Sequence, residues 1–338
     1  MIKQASWATW LFIISLAWLV LALGITQWDW QGRWHTTGHE RSYWIKLYTY
    51  WAQYATLPLL IGALAWGHRR WLNVGGVFKA ALVVFLSITF WAGQIEPHLL
   101  WVQHSTVVIK NSAAKPLRVA LVSDIHLGLF VRDWQLQRLV NKINTLDVDA
   151  VLVAGDWTYE PKLDLRAGFA PMAQINKPVY AVVGNHDLQR PGPRLTRELI
   201  AALTANKVQL IEGKTIDVKG WQLSGLDDYW GGNPAAQARG MGVSKQRIVL
   251  THQADAIALL ANGASALTLA GHTHGGQVNV PIATAMVMRG TIQNNWVDGL
   301  YQTKHGQVFV TTGTGMVGLP VRLNMPPRID VLTITGSQ

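Results

Sequence analysis

Four short motifs and one single histidine carry the side chains with the clearest chemical potential in this sequence. They are Asp124-x-His126, Gly155-Asp156, Gly184-Asn185-His186-Asp187, His252 and Gly271-His272-Thr273-His274, in that order. Imidazole and carboxylate groups bind Mn, Fe or Zn, and the absence of cysteine excludes thiolate sites. Two such cations, roughly 3.5–4 Å apart, can hydrolyse a phosphate ester, because they activate water and place positive charge beside the phosphoryl oxygens. The pattern therefore points to a two-metal phosphoesterase site.

Each motif directly follows a short run of residues that is typical of a buried strand. These runs are residues 118–123, 150–154, 179–183, 248–251 and 267–270. Between them, residues 133–143, 195–205 and 255–261 have apolar residues near three- and four-residue spacing, which predicts helices. Strands that alternate with helices predict a layered α/β domain with its site at the carboxyl ends of the strands.

Taken together, the motifs resemble those of the calcineurin-like metallophosphoesterase superfamily, whose pattern is D-x-H, G-D-x-x-D, G-N-H-D/E, H and G-H-x-H. The resemblance covers about residues 115–336, and residues 271–277 and 312–322 are similar to its bacterial membrane-associated phosphodiesterase branch. It implies the fold of that superfamily, a layered β-sandwich flanked by helices. It also implies two divalent metal ions, with Mn favoured and Fe or Zn acceptable to the same ligands.

Carried over by position, the resemblance implies a role for eight residues. The metal ligands would be Asp124, His126 and His274 on one ion, Asn185, His252 and His272 on the other, and Asp156 bridging both. The attacking group would be a metal-bridging hydroxide that displaces the leaving oxygen in line. His186 would donate a hydrogen bond or a proton to the phosphate or its leaving oxygen.

Some residues near these motifs have other interpretations. Relatives often have an acid three residues after the bridging aspartate, where this chain has Tyr159, with Glu160 next to it, so the partner that orients His186 stays open. We interpret Asp187 as a loop cap. Asp227-Asp228 is predicted to cap a turn, with a place in the substrate cleft as the alternative. Six further histidines are predicted to be surface or interfacial side chains: His35, His39, His68, His98, His104 and His305.

The first hundred residues have a different character. Residues 6–26, 47–66 and 77–95 are long apolar stretches, which predict an all-α region of about three transmembrane helices. Twelve of the 17 tryptophans lie in residues 1–101, as expected for side chains that anchor helices at a membrane interface. Pro58, inside the second stretch, predicts a kink.

These observations divide the chain into a transmembrane region at 1–101, a linker at 102–117 with a strand at 106–109, and the enzyme domain at 118–336. We expect a multi-pass integral membrane protein of a bacterial inner membrane. Arg69 and Arg70 lie between the second and third stretches and Lys79 lies at the start of the third, with no acid among them, which favours a cytoplasmic amino terminus and an extracytoplasmic enzyme domain.

The formal net charge of +10 favours an anionic partner. The enzyme domain has no basic stripe interleaved with aromatic residues, so a nucleic-acid partner is not expected. The hypothesis is a membrane-anchored phosphoesterase that acts on a phosphodiester or pyrophosphate of a lipid-linked substrate. The alternatives are a nuclease or nucleotide phosphodiesterase, and a non-catalytic membrane sensor or scaffold with the same fold. The sequence leaves the oligomeric state open.

Overall fold

Helices lie at the amino terminus, and strands alternate with helices through most of the remaining chain. A computed structural model describes residues 7–33, 38–65, 74–110, 112–162, 164–188, 195–280, 284 and 294–337. The helices are α1 (Trp7–Trp30), α2 (Glu40–Ala52), α3 (Thr56–Ala65), α4 (Val74–Phe90), α5 (Asp133–Asn144), α6 (Leu165–Gly168), α7 (Asn185–Leu188), α8 (Thr196–Ala205) and α9 (Pro234–Arg239). The strands are β1 (Trp101–Lys110), β2 (Leu117–Val122), β3 (Leu127–Gly128), β4 (Ala150–Ala154), β5 (Thr158–Tyr159), β6 (Val179–Val182), β7 (Val208–Leu210), β8 (Thr215–Val218), β9 (Trp221–Gly225), β10 (Arg247–Leu250), β11 (Leu267–Ala270), β12 (Gly299–Thr303), β13 (Gly306–Val310) and β14 (Arg328–Ser337).

The strands form two six-stranded sheets and a small pair, β3 with β5. The first sheet has the order β1-β14-β2-β4-β6-β7 and the second has the order β12-β13-β11-β10-β9-β8. In the first sheet β2, β4, β6 and β7 are parallel, and in the second β9, β10, β11 and β13 are parallel. All five predicted ligand-bearing strands are present, and each lies in a parallel part of a sheet.

Alternate side chains of the first sheet point to its two opposite faces, and each face belongs to a separate hydrophobic core. Val119 and Leu121 of β2 face the second sheet, where they pack with residues such as Leu269, whereas Ala120 and Val122 face the outer helices. Because both faces of the central strands are buried, these runs are almost continuously apolar. The layered sandwich predicted from the sequence is therefore observed.

Helices α5 and α8 cover the outer face of the first sheet, as predicted for residues 133–143 and 195–205. The third predicted helix, at 255–261, is instead a short 3₁₀ helix at Ala254–Leu259. Gly263 follows within a few residues, and its positive φ of 77° is incompatible with a right-handed helix. So short a segment favours the tighter 3₁₀ geometry.

Two amino-terminal stretches have the length and apolar composition of membrane spans, Thr9–Trp30 and Gly75–His98. The second predicted span, at 47–66, is not confirmed in the described part of the chain. A 3₁₀ turn at Gln53–Ala55 separates α2 from α3 there. Pro58 gives a physical reason, because it has no N–H to donate to the carbonyl four residues earlier, that of Tyr54.

Helix α2 packs on the enzyme domain. Leu47 and Tyr50 are buried in a cluster with Leu129, Phe130 and Met316. The predicted linker segment likewise belongs to the sheet, since β1 runs parallel to β14 along its whole length. The amino-terminal helices and the enzyme domain therefore share buried contacts.

An ion-pair cluster fixes the same junction. Asp29, near the end of α1, lies 2.7 Å from Arg33 and 2.7 Å from Arg132 of the enzyme domain. The indole of Trp51 donates to the same carboxylate over 3.2 Å. Asp29 and Arg33 are buried, where an unpaired charge would be costly. Each of them has an oppositely charged partner within the cluster.

Candidate metal centre

The candidate site lies where five loops leave the carboxyl ends of β2, β4, β6, β10 and β11. The structure brings together all seven predicted metal ligands and His186 in these loops. Five of the ligands have a left-handed backbone with φ between 51° and 71°: Asp124, His126, Asp156, His272 and His274. This conformation is costly for a residue with a side chain, and it recurs at functional sites. Here it turns consecutive ligands toward one point.

The first cluster consists of Asp124, His126 and His274. The Nε2 atoms of His126 and His274 are 3.0 Å apart, and their rings are stacked with centroids 5.0 Å apart. Asp124 Oδ1 lies 3.3 Å from His274 Nε2. One carboxylate oxygen and two imidazole nitrogens thus face the same small volume.

The second cluster consists of Asp156, His252 and His272, with Asn185 beside them. His252 Nε2 lies 3.2 Å from Asp156 Oδ2 and 3.2 Å from Asn185 Oδ1. His272 Nδ1 lies 3.3 Å from His252 Nε2. Asp156 Oδ2 is also 3.6 Å from His126 Nε2 of the first cluster, so this carboxylate lies between the two groups.

The donor set fits divalent cations. Asp124 Oδ1 is buried and makes no hydrogen bond within the described residues. His126 Nδ1 faces the Thr158 carbonyl at 3.2 Å and His252 Nδ1 faces the Ala154 carbonyl at 2.7 Å. When each Nδ1 donates to its carbonyl, the Nε2 lone pair points into the site, as in metal-binding histidines. Unpaired acceptors that converge in this way are what a cation requires.

The electrostatics separate the histidines into two kinds. Burial lowers the pKa of His126 and of His272 to about 3, so both are neutral near pH 7. Burial alone would also lower the pKa of His252, but the charge of Asp156 outweighs it and raises that pKa to about 10. His252 in turn holds the pKa of Asp156 well below its ordinary value, against the opposing effect of burial. Without a cation, His252 and Asp156 therefore form an ion pair.

His186 stands beside both clusters. Its backbone N–H donates to Asp156 Oδ1 over 2.9 Å, and its ring meets the rings of His126 and Tyr159 edge-on, with centroids 5.1 Å away in each case. Burial lowers its pKa, so the imidazole is neutral near pH 7. Tyr159, at the position where relatives often have an acid, packs against the ring of His186.

The two aspartates interpreted as caps have that geometry. Asp187 is buried and accepts hydrogen bonds from the backbone of Trp157, Thr158 and Gly184 and from the Thr158 hydroxyl. Asp228 accepts from the backbone of Trp230 over 3.0 Å and from that of Gly231. Asp187 thereby ties the Asp156 loop to the His186 loop.

Two residues near the site were not predicted from the sequence. Trp230 is 52% exposed, and its ring meets that of His272 edge-on at 4.5 Å. Arg322 is completely buried, with Nη2 3.4 Å from His274 Nδ1 and with hydrogen bonds to the carbonyls of Thr312 and Gly315. The signal for Arg322 was its place in the family-like segment 312–322. An exposed aromatic residue after a turn gives no such signal.

Four of the six predicted surface histidines lie in the described part of the chain, and none of them belongs to the two clusters. His39 and His104 are exposed, and His98 and His305 are partly exposed. His35 and His68 lie outside the described residues, as do Arg69 and Arg70.

A layered α/β fold with paired His/Asp clusters at its strand ends defines a class, the metal-dependent phosphoric ester hydrolases. Residues 117–276 match the family described as calcineurin-like phosphoesterase. These residues therefore form a calcineurin-like phosphoesterase domain.

Curated relatives come from animals and bacteria. A Danio rerio transmembrane protein with metallophosphoesterase domain is 32% identical over 225 residues, which cover 61% of this chain and 50% of the relative. The uncharacterized metallophosphoesterase Cj0846 of Campylobacter jejuni is 27% identical, covering 78% of this chain and 71% of the relative. The phosphodiesterase YaeI of Escherichia coli is 28% identical, and the match covers 69% of this chain and 87% of the relative. The chain thus spans about half the length of the Danio rerio relative.

Proposed function

We propose that this chain is a membrane-anchored, dinuclear metallophosphoesterase that hydrolyses a phosphodiester or pyrophosphate on a lipid-linked substrate. The observation that carries the proposal is the convergence of two ligand clusters around Asp156, whose Oδ2 lies 3.2 Å from His252 Nε2 and 3.6 Å from His126 Nε2. A carboxylate between two groups of imidazoles suits a pair of cations that share one ligand.

Asp124, His126 and His274 would hold one cation, Asn185, His252 and His272 the other, and Asp156 would contact both. Mn is the favoured ion, and Fe and Zn accept the same nitrogen and oxygen donors. When bound, the cations would supply positive charge beside the phosphoryl oxygens and a more acidic water as the nucleophile.

His186 would act on the substrate directly. Its ring is neutral near pH 7 because burial lowers its pKa, so one ring nitrogen carries a hydrogen that can be donated to the phosphate or its leaving oxygen. Its backbone N–H holds Asp156 Oδ1 at 2.9 Å, which fixes the ring relative to the metal ligands. Asp187 keeps the loop that carries His186 closed against the Asp156 loop.

Several features support a membrane location and a lipid-bearing substrate. Two amino-terminal stretches are apolar and long enough to span a bilayer, and large apolar side chains on them are exposed, such as Phe12, Val20 and Phe85. Helix α2 packs near the active-site loops through the contact of Tyr43 with Tyr159, at 5.6 Å between ring centroids. The Danio rerio relative is itself described as a transmembrane protein. A multi-pass arrangement in a bacterial inner membrane, with an extracytoplasmic enzyme domain, completes the proposal.

The test uses the full chain purified in mild detergent. Metal content is measured by mass spectrometry, and a chromogenic phosphodiester and the matching monoester are assayed with added Mn. We expect about two metal ions per chain, and hydrolysis that is lost in Asp156→Asn, because the amide keeps the shape but removes the negative charge shared by the two clusters.

Asp147→Asn is the matched control, since the Asp147 side chain is 87% exposed and lies outside the site. It should keep both metals and full activity. Turnover retained by Asp156→Asn would refute the shared role of Asp156. Absence of metal and of hydrolysis with every ion would favour the sensor or scaffold instead. Hydrolysis of soluble nucleotides that lipid and detergent do not affect would favour the nucleotide phosphodiesterase.

A further inference from the structure

Lys46 is a cationic side chain that reaches the active-site loops from outside the enzyme domain. It stands on α2, and its Nζ atom lies 3.1 Å from Tyr159 Oη. The same Nζ lies 4.6 Å from the centroid of the Tyr43 ring. Burial lowers the pKa of Lys46, and the charge of Glu160 acts in the opposite direction. This ammonium group is therefore held in a partly desolvated position, where an anion binds it more strongly than in bulk water.

Tyr159 connects Lys46 to the candidate metal centre. One end of its side chain, the ring, meets His186 and His126 edge-on, at 5.1 and 5.6 Å between centroids. The other end, the hydroxyl, faces Lys46 and accepts the N–H of Gly318 over 3.4 Å. Because the tyrosine fills the space between them, Lys46 is separated from the metal ligands by one side chain. Of the two imidazole rings, that of His186, the residue proposed to face the leaving oxygen, lies nearer to the Tyr159 ring.

The backbone around Lys46 is fixed. Its neighbour Leu47 is completely buried, and Tyr50, one turn later, stacks on Phe130 with centroids 6.0 Å apart. The guanidinium group of Arg132, from the enzyme domain, also contacts Tyr50, with its central carbon 4.9 Å from the centroid of the Tyr50 ring. A lysine on so well packed a helix loses little backbone freedom when it binds a ligand.

We infer that Lys46 binds a second phosphate, next to the scissile one on its leaving-group side, so that the site prefers a diphosphate to a single phosphodiester. The inference rests on the proposed function and narrows its substrate class. Lysine binds phosphate as a compact point charge, with no need for a planar partner. A position one side chain beyond the histidines suits a neighbouring phosphate and is too remote for a metal ligand.

Calorimetry on the full, Mn-loaded chain in detergent tests the inference with two probes, methylenediphosphonate and inorganic phosphate. In Lys46→Met the dissociation constant of the diphosphonate should rise at least about tenfold, which corresponds to about 1.4 kcal/mol, while that of phosphate stays within about twofold. Lys46→Arg keeps the charge and should recover part of the loss. Lys142→Met, an exposed lysine in the last turn of α5, is the matched control and should change neither constant.

Two outcomes would overturn the inference. Equal weakening of both probes would mean that Lys46 acts through the position of Tyr159 and the metal centre. Unchanged binding of both would mean that Lys46 does not contact the second phosphate. The proposed function fails separately, if wild-type protein with two metals bound hydrolyses neither a phosphodiester nor a pyrophosphate. In that case, a selective loss of diphosphonate binding in Lys46→Met would still support an anion site at Lys46.

Discussion

Gly184→Ala is a small change that should disable the metal centre. A Cβ atom at Gly184 would lie 2.2 Å from Asp156 Oδ1 and 2.6 Å from the Asp156 nitrogen. Gly184 is not among the residues with positive φ, so alanine fits its backbone without strain. The effect of the substitution is therefore steric, and it acts on the one carboxylate that lies between the two clusters.

The size of the effect follows from the overlap. A carbon and an oxygen in ordinary contact are about 3.5 Å apart, so Asp156 must shift by roughly 1 Å. Overpacking of this kind costs typically 1–3 kcal/mol of stability. A displacement of about 1 Å in a catalytic group lowers activity by about 100-fold. We therefore expect a folded but slightly destabilised protein with weakened metal binding and at least about a hundredfold lower turnover.

The assay compares metal content, melting temperature and phosphodiester turnover with those of Gly242→Ala. Gly242 has no atom within 4 Å of its Cβ position and no positive φ, so the same substitution there should change none of these quantities. Gly184→Ala protein that keeps two tightly bound ions and activity within about threefold of wild type would refute the reasoning. It would show that Asp156 can move without consequence for the site.

The remaining predictions concern pH and the buried cap. His252 has a pKa raised to about 10 and must lose its proton to bind a cation, so Mn uptake at pH 7.5 should release about one proton, and metal affinity should increase with pH below 10. Calorimetry in buffers of different ionisation enthalpy measures this release, and a value near zero contradicts it. Asp187→Ala leaves four buried donors unpaired, at about 1–3 kcal/mol each, and should lower the melting temperature by about 10 °C or more. The exposed Asp217→Ala is its control, and an equal melting temperature for both variants would contradict the role of Asp187.

The strands and the clustering of the candidate ligands were predictable from the sequence because their signals are local. A β-branched run that ends in Asp124 or His252 predicts both a buried strand and the position of its last residue. The convergence of the loops follows from parallel strands, whose carboxyl ends meet at one edge. The left-handed backbone of Asp124 and Asp156 was not predictable, since only the crowding of the ligands around one point selects it.

The amino-terminal region was harder to predict, because hydropathy alone does not show whether an apolar side chain is buried by lipid or by another part of the protein. Residues 47–66 are apolar enough to suggest a membrane span, yet Leu47 is buried against Phe130 and Met316 of the enzyme domain. The contact joins residues about eighty positions or more apart in the sequence, so no local pattern carries it. Likewise the strand predicted at 106–109 extends over Trp101–Lys110, because its partner β14 lies at the other end of the chain.

These long-range contacts make the enzyme domain dependent on the segment before it. Removal of residues 1–117 would take away β1 and leave β14 as an exposed edge. It would also remove Asp29, the partner of Arg132, and expose the apolar side chains of Leu129, Phe130 and Met316 to water. Arg322, beside His274, donates its backbone N–H to the carbonyl of Ala92, in the helical turn directly after α4, over 2.8 Å. A residue beside the candidate metal ligands is therefore held in place from the amino-terminal helical region.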